Sequence, residues 1–511
     1  MRGKQQRNLI KLSSNKAVFS MAMTIILAVI IIISYINQNA LTVEANISDA
    51  SDEGIYEICQ AFNELRAKAF KDPDRIREVT PVAMDIDIYD EENDEIITQT
   101  RDVCTIRMGN HEMHYIMEVI GDPDEYGNYP LYIALHGGGG GPAEINNEQW
   151  LEMADYYKRS VKSGIYVAVR GIEDVWNTHF LDESYAMYDR LIEDMYLLKR
   201  AEPNKVYLLG FSAGGDGVYA IAPRMADRFA AVNMSSGHPN GVSLLNTSNL
   251  PFEIQVGIRD FYSEDAIRSI RGAEYEAVLN SYSKKYGCKY PHRILVHVPE
   301  GHNYNDFVDN GGDSIVLSDP ELFAKRAIKE DWVHKFLDLY ESIGYEPDIS
   351  NLSYGDDDEF NSALLDYVAN DLKMELDYDI DCNAVNYVSQ YLRSAFPETF
   401  VWDLSTRAPG RDDTAFYWLS ADFDVNEGVI KAHYDAKTNT VELQTDGKVN
   451  GEIKVLATPF IMDLSKPLTI ITPDTEMTVD LKIDKDIIAK AVAQTQDPYL
   501  SWTDEIPISL D

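Results

Sequence analysis

The sequence of 511 residues has little cysteine and little positive charge, and both shortages exclude classes of function. Four cysteines occur at wide spacing without a CxxC pair, so neither a zinc-finger pattern nor a dense disulfide framework is present, and three pairings stay open. Lys and Arg number 45 against 85 Asp and Glu, which gives a formal net charge of -40. Because such a surface repels phosphate backbones, we expect no nucleic-acid partner.

Acidic residues are absent from positions 1–43, where basic residues precede the apolar run 18–36. The basic residues are Arg2, Lys4, Arg7, Lys11 and Lys16. The run is long enough to span a bilayer, and Val43-Glu44-Ala45 also offers a small-residue cleavage pattern. Residues 1–45 therefore predict either an uncleaved signal anchor in the membrane or a secretory signal peptide. In both cases we expect the rest of the chain to be extracytoplasmic.

Long apolar runs are absent after residue 131, where short ones alternate with helical segments. This pattern is typical of a parallel α/β sheet with helices on both faces. The predicted strands are 131–136, 165–170, 206–210, 230–234, 252–257 and 293–298. The predicted helices lie near 147–163, 184–199, 215–226, 263–286 and 320–342.

The sequence patterns before and after this α/β region differ from it and predict further structural regions. Residues 46–112 indicate a helix and a β-hairpin extension, and residues 113–344 form the predicted α/β domain. Between positions 345 and 381 there are twelve acidic residues and one lysine, so residues 345–399 predict an acidic linker with helices. Residues 400–511 alternate in short strands and predict a small β-sandwich domain.

The segment Gly210-Phe211-Ser212-Ala213-Gly214 follows a predicted strand and precedes a predicted helix. This is the context of a nucleophile elbow, in which glycines permit a sharp turn that presents the serine hydroxyl. An earlier strand ends in His136 followed by five glycines, Gly137 to Gly141. Such a turn can aim backbone N–H groups at an oxyanion. It lacks the Gly-Lys-Ser/Thr ending of a P-loop and the spacing of a dinucleotide fingerprint.

A serine nucleophile needs a histidine base and a carboxylate that orients the base. When the serine lies on a nucleophile elbow, the expected order along the chain is serine, acid, histidine. Asp260 and His302 each follow a predicted strand, where sites of open α/β sheets collect. Asp265 and Asp306 are reserve acids, and His238 is a reserve base. His136, His179 and His238 are candidate pocket residues, although a structural role also fits them.

A metal site is not expected. Residues 377–383 superficially resemble a calcium loop, but Cys382 stands where the glycine belongs and Val388 where the glutamate belongs.

Together these motifs resemble the α/β-hydrolase superfamily, and within it the exported esterases grouped with polyhydroxybutyrate depolymerases and feruloyl or acetyl-xylan esterases. The resemblance covers residues 113–344. It implies that Ser212 is the nucleophile, with Asp260 and His302 as acid and base. It also implies an oxyanion hole formed by the backbone N–H of Ala213 and one from the region of Gly137 and Gly138.

The expected activity is therefore that of an exported serine carboxylic-ester hydrolase that forms an acyl-enzyme and needs no cofactor. Its expected substrate is an extracellular ester on a polysaccharide, in a polyester or in a small acyl compound. Two alternatives stay open, a serine peptidase on the same fold and an inactive cell-surface protein that binds glycans.

Overall fold

The structure, a computed structural model, describes residues 50–261, 267–303, 315–355, 357–411 and 414–510. The predicted export segment, residues 1–45, lies outside these ranges, as do Asp265 and Asp306. No helix within the described ranges is long and apolar enough to cross a membrane.

The main domain is organised around a sheet of eleven strands. They are β1 Val82–Asp90, β2 Glu95–Met108, β3 His111–Ile120, β4 Tyr129–Leu135, β5 Gly164–Val169, β6 Ala201–Phe211, β7 Ala231–Ser235, β8 Phe252–Gly257, β9 His292–His297, β10 Val316–Leu317 and β11 Leu376–Asp377. Their order is β1-β2-β3-β5-β4-β6-β7-β8-β9-β10-β11. The strands from β5 to β9 run parallel, whereas β3 is antiparallel to both neighbours.

Helices cover both faces of this sheet. Those up to residue 342 are α1 Ala50–Ala69, α2 Pro73–Glu78, α3 Ala143–Met153, α4 Asp182–Lys199, α5 Ala213–Ile221, α6 Arg268–Tyr286, α7 Pro320–Glu330 and α8 Trp332–Ser342. In β4, Ile133 belongs to one apolar cluster, whereas Tyr132 and Ala134 belong to another. Because successive side chains of a strand point to opposite faces, both faces are buried. A mixed α/β sheet with helices on both faces is thus the observed class.

Two predicted helices are shorter in the structure. The helix expected at 147–163 ends at Met153 and gives way to a 3-10 turn at Tyr157–Ser160. The helix expected at 320–342 breaks at Asp331, whose φ of 53° ends α7 and starts α8. A left-handed residue cannot continue an α-helix, so the apolar periodicity on either side of Asp331 belongs to two helices.

Residues 345–399, predicted to be an acidic linker with helices, pack onto the sheet. The helices are α9 Ile349–Tyr354, α10 Asp358–Asp366 and α11 Ala384–Val388. Phe360 and Leu364 of α10 are buried in the main apolar cluster, and β11 pairs with β10. The acidic side chains of this segment alternate with apolar ones that reach the core. The segment therefore completes the α/β domain while its charges stay hydrated.

Two further sheets follow. Their strands are β12 Thr399–Asp403, β13 Ala415–Phe416, β14 Leu419–Ala421, β15 Val429–Asp435, β16 Thr440–Thr445, β17 Glu452–Ala457, β18 Leu468–Ile471, β19 Glu476–Val479 and β20 Asp504–Ser509. One sheet has the order β12-β15-β16-β18-β19 and the other β13-β14-β17-β20. Phe416 of one sheet stacks on Trp402 of the other, with ring centroids 5.6 Å apart. The helix α12 Lys485–Thr495 shares an apolar cluster with α1.

All four cysteines are free thiols in the structure, and all are buried. Burial raises the pKa of Cys59 to about 12 and that of Cys104 to about 11. Since the thiolate is the reactive form, these two side chains behave as small apolar core residues.

Buried ion pairs join the carboxyl-terminal sheets to the main domain. Arg393 Nη1 lies 2.6 Å from Asp497 Oδ2, and both side chains are at most 1% exposed. Asp189 of α4 contacts both Arg228 and Arg411. Such pairs contribute little when intact, but a lone buried charge is costly.

We expect Arg393→Met to lower the free energy of unfolding by about 3–5 kcal/mol, because Asp497 is then a buried charge without its partner. The matched control is Arg77→Met, which breaks the exposed Arg77–Asp74 pair and changes stability by less than about 1 kcal/mol. Urea denaturation of both variants measures the difference. Equal losses of stability in the two variants would show that the Arg393–Asp497 contact does not hold the carboxyl-terminal sheets to the main domain.

Candidate active site

Ser212 lies on a sharp turn between β6 and α5. Its φ of 55° and ψ of -117° are strained for a residue with a side chain. A Cβ on Gly210 would lie 2.2 Å from the carbonyl oxygen of Gly214, and one on Gly214 would lie 2.1 Å from that of Leu135. Only glycine fits at either position, and the close packing holds the Ser212 turn in its strained form.

Three side chains form a continuous chain of hydrogen bonds. His302 Nε2 lies 3.0 Å from Ser212 Oγ, and His302 Nδ1 lies 3.1 and 3.0 Å from the two oxygens of Asp260. Because Nδ1–H donates to the carboxylate, Nε2 presents its lone pair to the serine hydroxyl. Asp260 follows β8 and His302 follows β9, so the carboxyl ends of parallel strands bring both to Ser212. This arrangement can move the hydroxyl proton to imidazole while the oxygen attacks an electrophile.

The loops that carry Asp260 and His302 are tied together by Ser353, a residue outside every sequence motif. Its carbonyl oxygen accepts a hydrogen bond from His302 N at 2.7 Å, and its Oγ accepts one from Phe261 N at 3.1 Å. A Cβ on Gly301 would lie 2.1 Å from the Ser353 carbonyl, so glycine is needed before the histidine. Ser353 therefore fixes the distance between base and acid.

Two arginines support the same loops. Arg268 Nη1 donates to Asp260 Oδ1 at 3.3 Å. Arg259, which is 3% exposed, donates to the carbonyls of Pro299 at 2.7 Å and Leu352 at 2.5 Å. Sequence analysis missed both arginines and Ser353, because no local pattern marks residues whose partners lie far along the chain.

The glycine run is fixed by a buried asparagine that the motifs did not include. Asn146 Oδ1 accepts a hydrogen bond from Gly139 N at 2.7 Å, and its Nδ2 donates to the Gly139 carbonyl at 2.8 Å. Gly138 and Gly139 have φ values of 86° and 116°, which favour glycine. Since the Gly139 N–H is used by Asn146, it is not aimed at the Ser212 hydroxyl.

The backbone near Ser212 offers N–H groups to a developing negative charge. Ala213 is the first residue of α5, so its N–H has no acceptor within the helix, and the helix N-terminus favours negative charge. A Cβ on Gly137 would lie 3.4 Å from Ser212 Cβ, so the start of the glycine run lies beside the serine. Ala213, with Gly137 or Gly138, can therefore form an oxyanion hole.

His136 and His179 lie behind the glycine run and are fully buried. His136 Nδ1 donates to the Gly137 carbonyl at 2.5 Å, and its Nε2 accepts from Gly171 N at 3.0 Å. His179 Nε2 donates to the His136 carbonyl at 2.9 Å. Burial lowers the pKa of His179 to about 4 and that of His136 well below its ordinary value. Both are therefore neutral supports of the loop backbone, so the structural role is the one observed.

His238 lies further from the hydrogen-bonded chain. Its backbone N–H donates to Asp216 Oδ1 at 2.6 Å, and its Nδ1 accepts from Asn240 N at 3.1 Å. The side chain lines a groove of about 720 Å³ between α6 and α7. Among the described residues, no group of three or more His, Cys, Asp or Glu side chains is placed to hold a metal ion.

Comparison with known proteins gives remote structural similarity. No family model and no curated protein matches the sequence. The chain is similar in structure to a thermostable esterase, with 14% identity over 55% of this chain and 70% of the other, at a TM-score of 0.31. It is also similar to Est1E from Butyrivibrio proteoclasticus, with 13% identity over 45% of this chain and 99% of the other, at a TM-score of 0.29. Esterase PE8 is 16% identical over 42% of this chain and 99% of its own length, at a TM-score of 0.27.

The architecture of the chain agrees with the α/β-hydrolase fold expected from the sequence. The observed strand order, with β3 antiparallel among neighbours and the Ser212 turn after β6, fits that fold on its own.

We expect Gly214→Ala to lower the free energy of unfolding by about 1–3 kcal/mol, because its Cβ collides with the backbone of β4. The control is Gly141→Ala in the glycine run, where a Cβ meets none of the described atoms within 4 Å. That change should stay within about 0.5 kcal/mol. Thermal unfolding of both variants tests the prediction, and a Gly214→Ala protein as stable as the control would contradict the packing described.

Proposed function

We propose that the protein is a serine hydrolase that cleaves carboxylic esters, with Ser212 as nucleophile, His302 as general base and Asp260 as the orienting acid. The observation that carries this proposal is the unbroken line of hydrogen bonds from Asp260 through His302 to the hydroxyl of Ser212. The hydroxyl stands at the N-terminus of α5, where backbone N–H groups face the same space.

In the proposed reaction, His302 Nε2 takes the proton of Ser212 as Oγ attacks the ester carbonyl. The backbone N–H of Ala213, with that of Gly137 or Gly138, holds the oxyanion. Asp260 stabilises the imidazolium, which then gives its proton to the leaving alcohol. Water, deprotonated by the same imidazole, attacks the acyl-enzyme. The bond from the acyl carbon to Ser212 Oγ then breaks, Oγ takes the proton back from the imidazolium, and the acid leaves. These steps use only side chains and backbone groups of this chain.

The proposed substrate is an extracellular ester, on a polysaccharide, in a polyester or in a small acyl compound, and the proposed place of action is outside the membrane. The strong negative charge of the protein favours a neutral substrate and the departure of the carboxylate product. A serine peptidase would use the same three side chains, so the two activities must be compared directly.

We expect the full-length protein to hydrolyse 4-nitrophenyl acetate, and Ser212→Ala to lower kcat by at least about 10⁴-fold, because the attacking oxygen is gone. A peptide nitroanilide is assayed in parallel. Faster turnover of the peptide would move the assignment to a peptidase. Glycan binding without turnover of either substrate would instead identify a binding protein.

We expect Asp260→Asn to lower kcat by about 10⁴-fold at unchanged fold, because the amide favours the wrong tautomer of His302. The matched control is Asp216→Asn, which changes the half-buried carboxyl group of a residue whose backbone N–H donates to the Ser212 carbonyl. Asp216 accepts hydrogen bonds from His238 N and Asn240 Nδ2, and not from His302. Its replacement should lower kcat by less than about 10-fold. The reverse order of effects would show that Asp216 is the acid.

A further inference from the structure

Trp176 is unlike every other tryptophan of the chain. It is 59% exposed, whereas the five others are at most 3% exposed. The five are Trp150, Trp332, Trp402, Trp418 and Trp502. Single exposed apolar side chains are common, so exposure alone assigns no role. The position and the support of Trp176 decide what it does.

The backbone of Trp176 lies directly against the glycine run. A Cβ on Gly139 would lie 3.4 Å from the Trp176 carbonyl oxygen and 3.5 Å from Ala213 Cβ. A Cβ on Gly140 would lie 3.3 Å from Trp176 N. Gly139 and Gly140 thus leave room for the backbone of Trp176, which lies next to the turn that carries Ser212. This close approach gives Gly139 and Gly140 a role that is separate from the oxyanion hole proposed for Ala213 and the start of the run.

The turn that carries Trp176 is rigid. Thr178 is fully buried, its Oγ1 donates to the Glu173 carbonyl at 2.6 Å, and its N–H donates to the Val175 carbonyl at 3.1 Å. The indole packs edge to face on Phe180 with ring centroids 5.4 Å apart. Asp174 in the same turn accepts a hydrogen bond from Asn146, the residue that fixes the glycine run. The exposed indole is therefore held in place relative to the site.

Aromatic side chains also lie next to His302. The ring of Tyr354, which is 48% exposed, lies 5.3 Å from the His302 imidazole, and the ring of Phe211 lies 5.4 Å from it. Glu173 adds an exposed negative charge beside the tryptophan, whereas the charge of Asp174 is paired with Arg170. A flat, neutral group suits this surface, since an anionic group would be repelled.

We propose that Trp176 is a substrate-recognition residue that stacks on a neutral ring of the ester, either an aryl ring or a pyranose. The two rings share one chemistry, a flat face of low polarity that covers the indole. This inference rests on the proposed ester hydrolysis, because it assigns the ring to the substrate of Ser212.

The first test compares matched esters in wild type, Trp176→Ala and Trp176→Phe. The pairs are phenyl acetate with ethyl acetate, ethyl benzoate with ethyl butyrate, and methyl 6-O-acetylglucoside with ethyl acetate. We expect Trp176→Ala to lower kcat/KM for at least one ring ester by about 3- to 10-fold, mainly through KM, and for the linear ester by less than about 2-fold. Trp176→Phe should retain most of the ring preference. The aryl or sugar pair that responds identifies the ring.

The control variant is Phe423→Ala, which removes another exposed aromatic side chain from the carboxyl-terminal sheets and should change no ratio. Equal losses on ring and linear esters in Trp176→Ala would mean a structural role only and would overturn the inference. Unchanged kinetics of Trp176→Ala on every pair of esters would also overturn the inference.

A second test does not depend on turnover. In Ser212→Ala, benzyl alcohol or methyl glucoside should shift the emission of the exposed tryptophan, and the shift should vanish when Trp176→Phe is added. If benzyl alcohol or methyl glucoside binds at Trp176 but the wild type hydrolyses no ester, the proposed hydrolysis fails while ring binding by Trp176 stands. Turnover of linear esters with no emission change and no ring preference would reject the inference alone.

Discussion

The contact between Gly214 and the backbone of β4 is the constraint on which the rest of the site depends. It holds the first turn of α5 against the strand that leads into the glycine run, with no room for a Cβ at Gly214. Because of this contact, the strained Ser212, the N–H of Ala213 and the loop at Gly137 share one small space. The strain at Ser212 is therefore maintained by packing over several strands, not by the turn itself.

The other half of the site depends on a segment that the sheet alone would not predict. Ser353 comes about fifty residues after His302, yet its carbonyl and hydroxyl hold both the histidine loop and the Asp260 loop. Arg259 joins the same segment through the Leu352 carbonyl. The acidic stretch around these residues thus helps to hold Asp260 and His302 in line with each other. Its charges face water, while its backbone polar groups complete the hydrogen bonds of the site.

Much of this arrangement could be predicted from the sequence, because the informative signals are local. Short apolar runs and the glycines around Ser212 give the parallel strands and the elbow, and strand ends bring Asp260 and His302 within reach. The rest could not be predicted, because it depends on contacts between distant residues. Asn146 and Ser353 carry no motif, and their roles exist only when the loops meet. Asp331 similarly breaks a helix whose periodicity continues on both sides.

The electrostatics of the site follow from how its loops are supported. His136 and His179 hold the glycine run as neutral imidazoles, since full burial keeps their pKa values low. The two histidines therefore add no charge near Ser212, and the groups there that favour negative charge are the backbone N–H groups at the N-terminus of α5. Those dipoles act at short range within a protein whose net charge is -40. In the proposed reaction these dipoles would stabilise a transient oxyanion, whereas the net charge would repel a permanent anion elsewhere on the substrate. A neutral ring beside Trp176 fits both conditions.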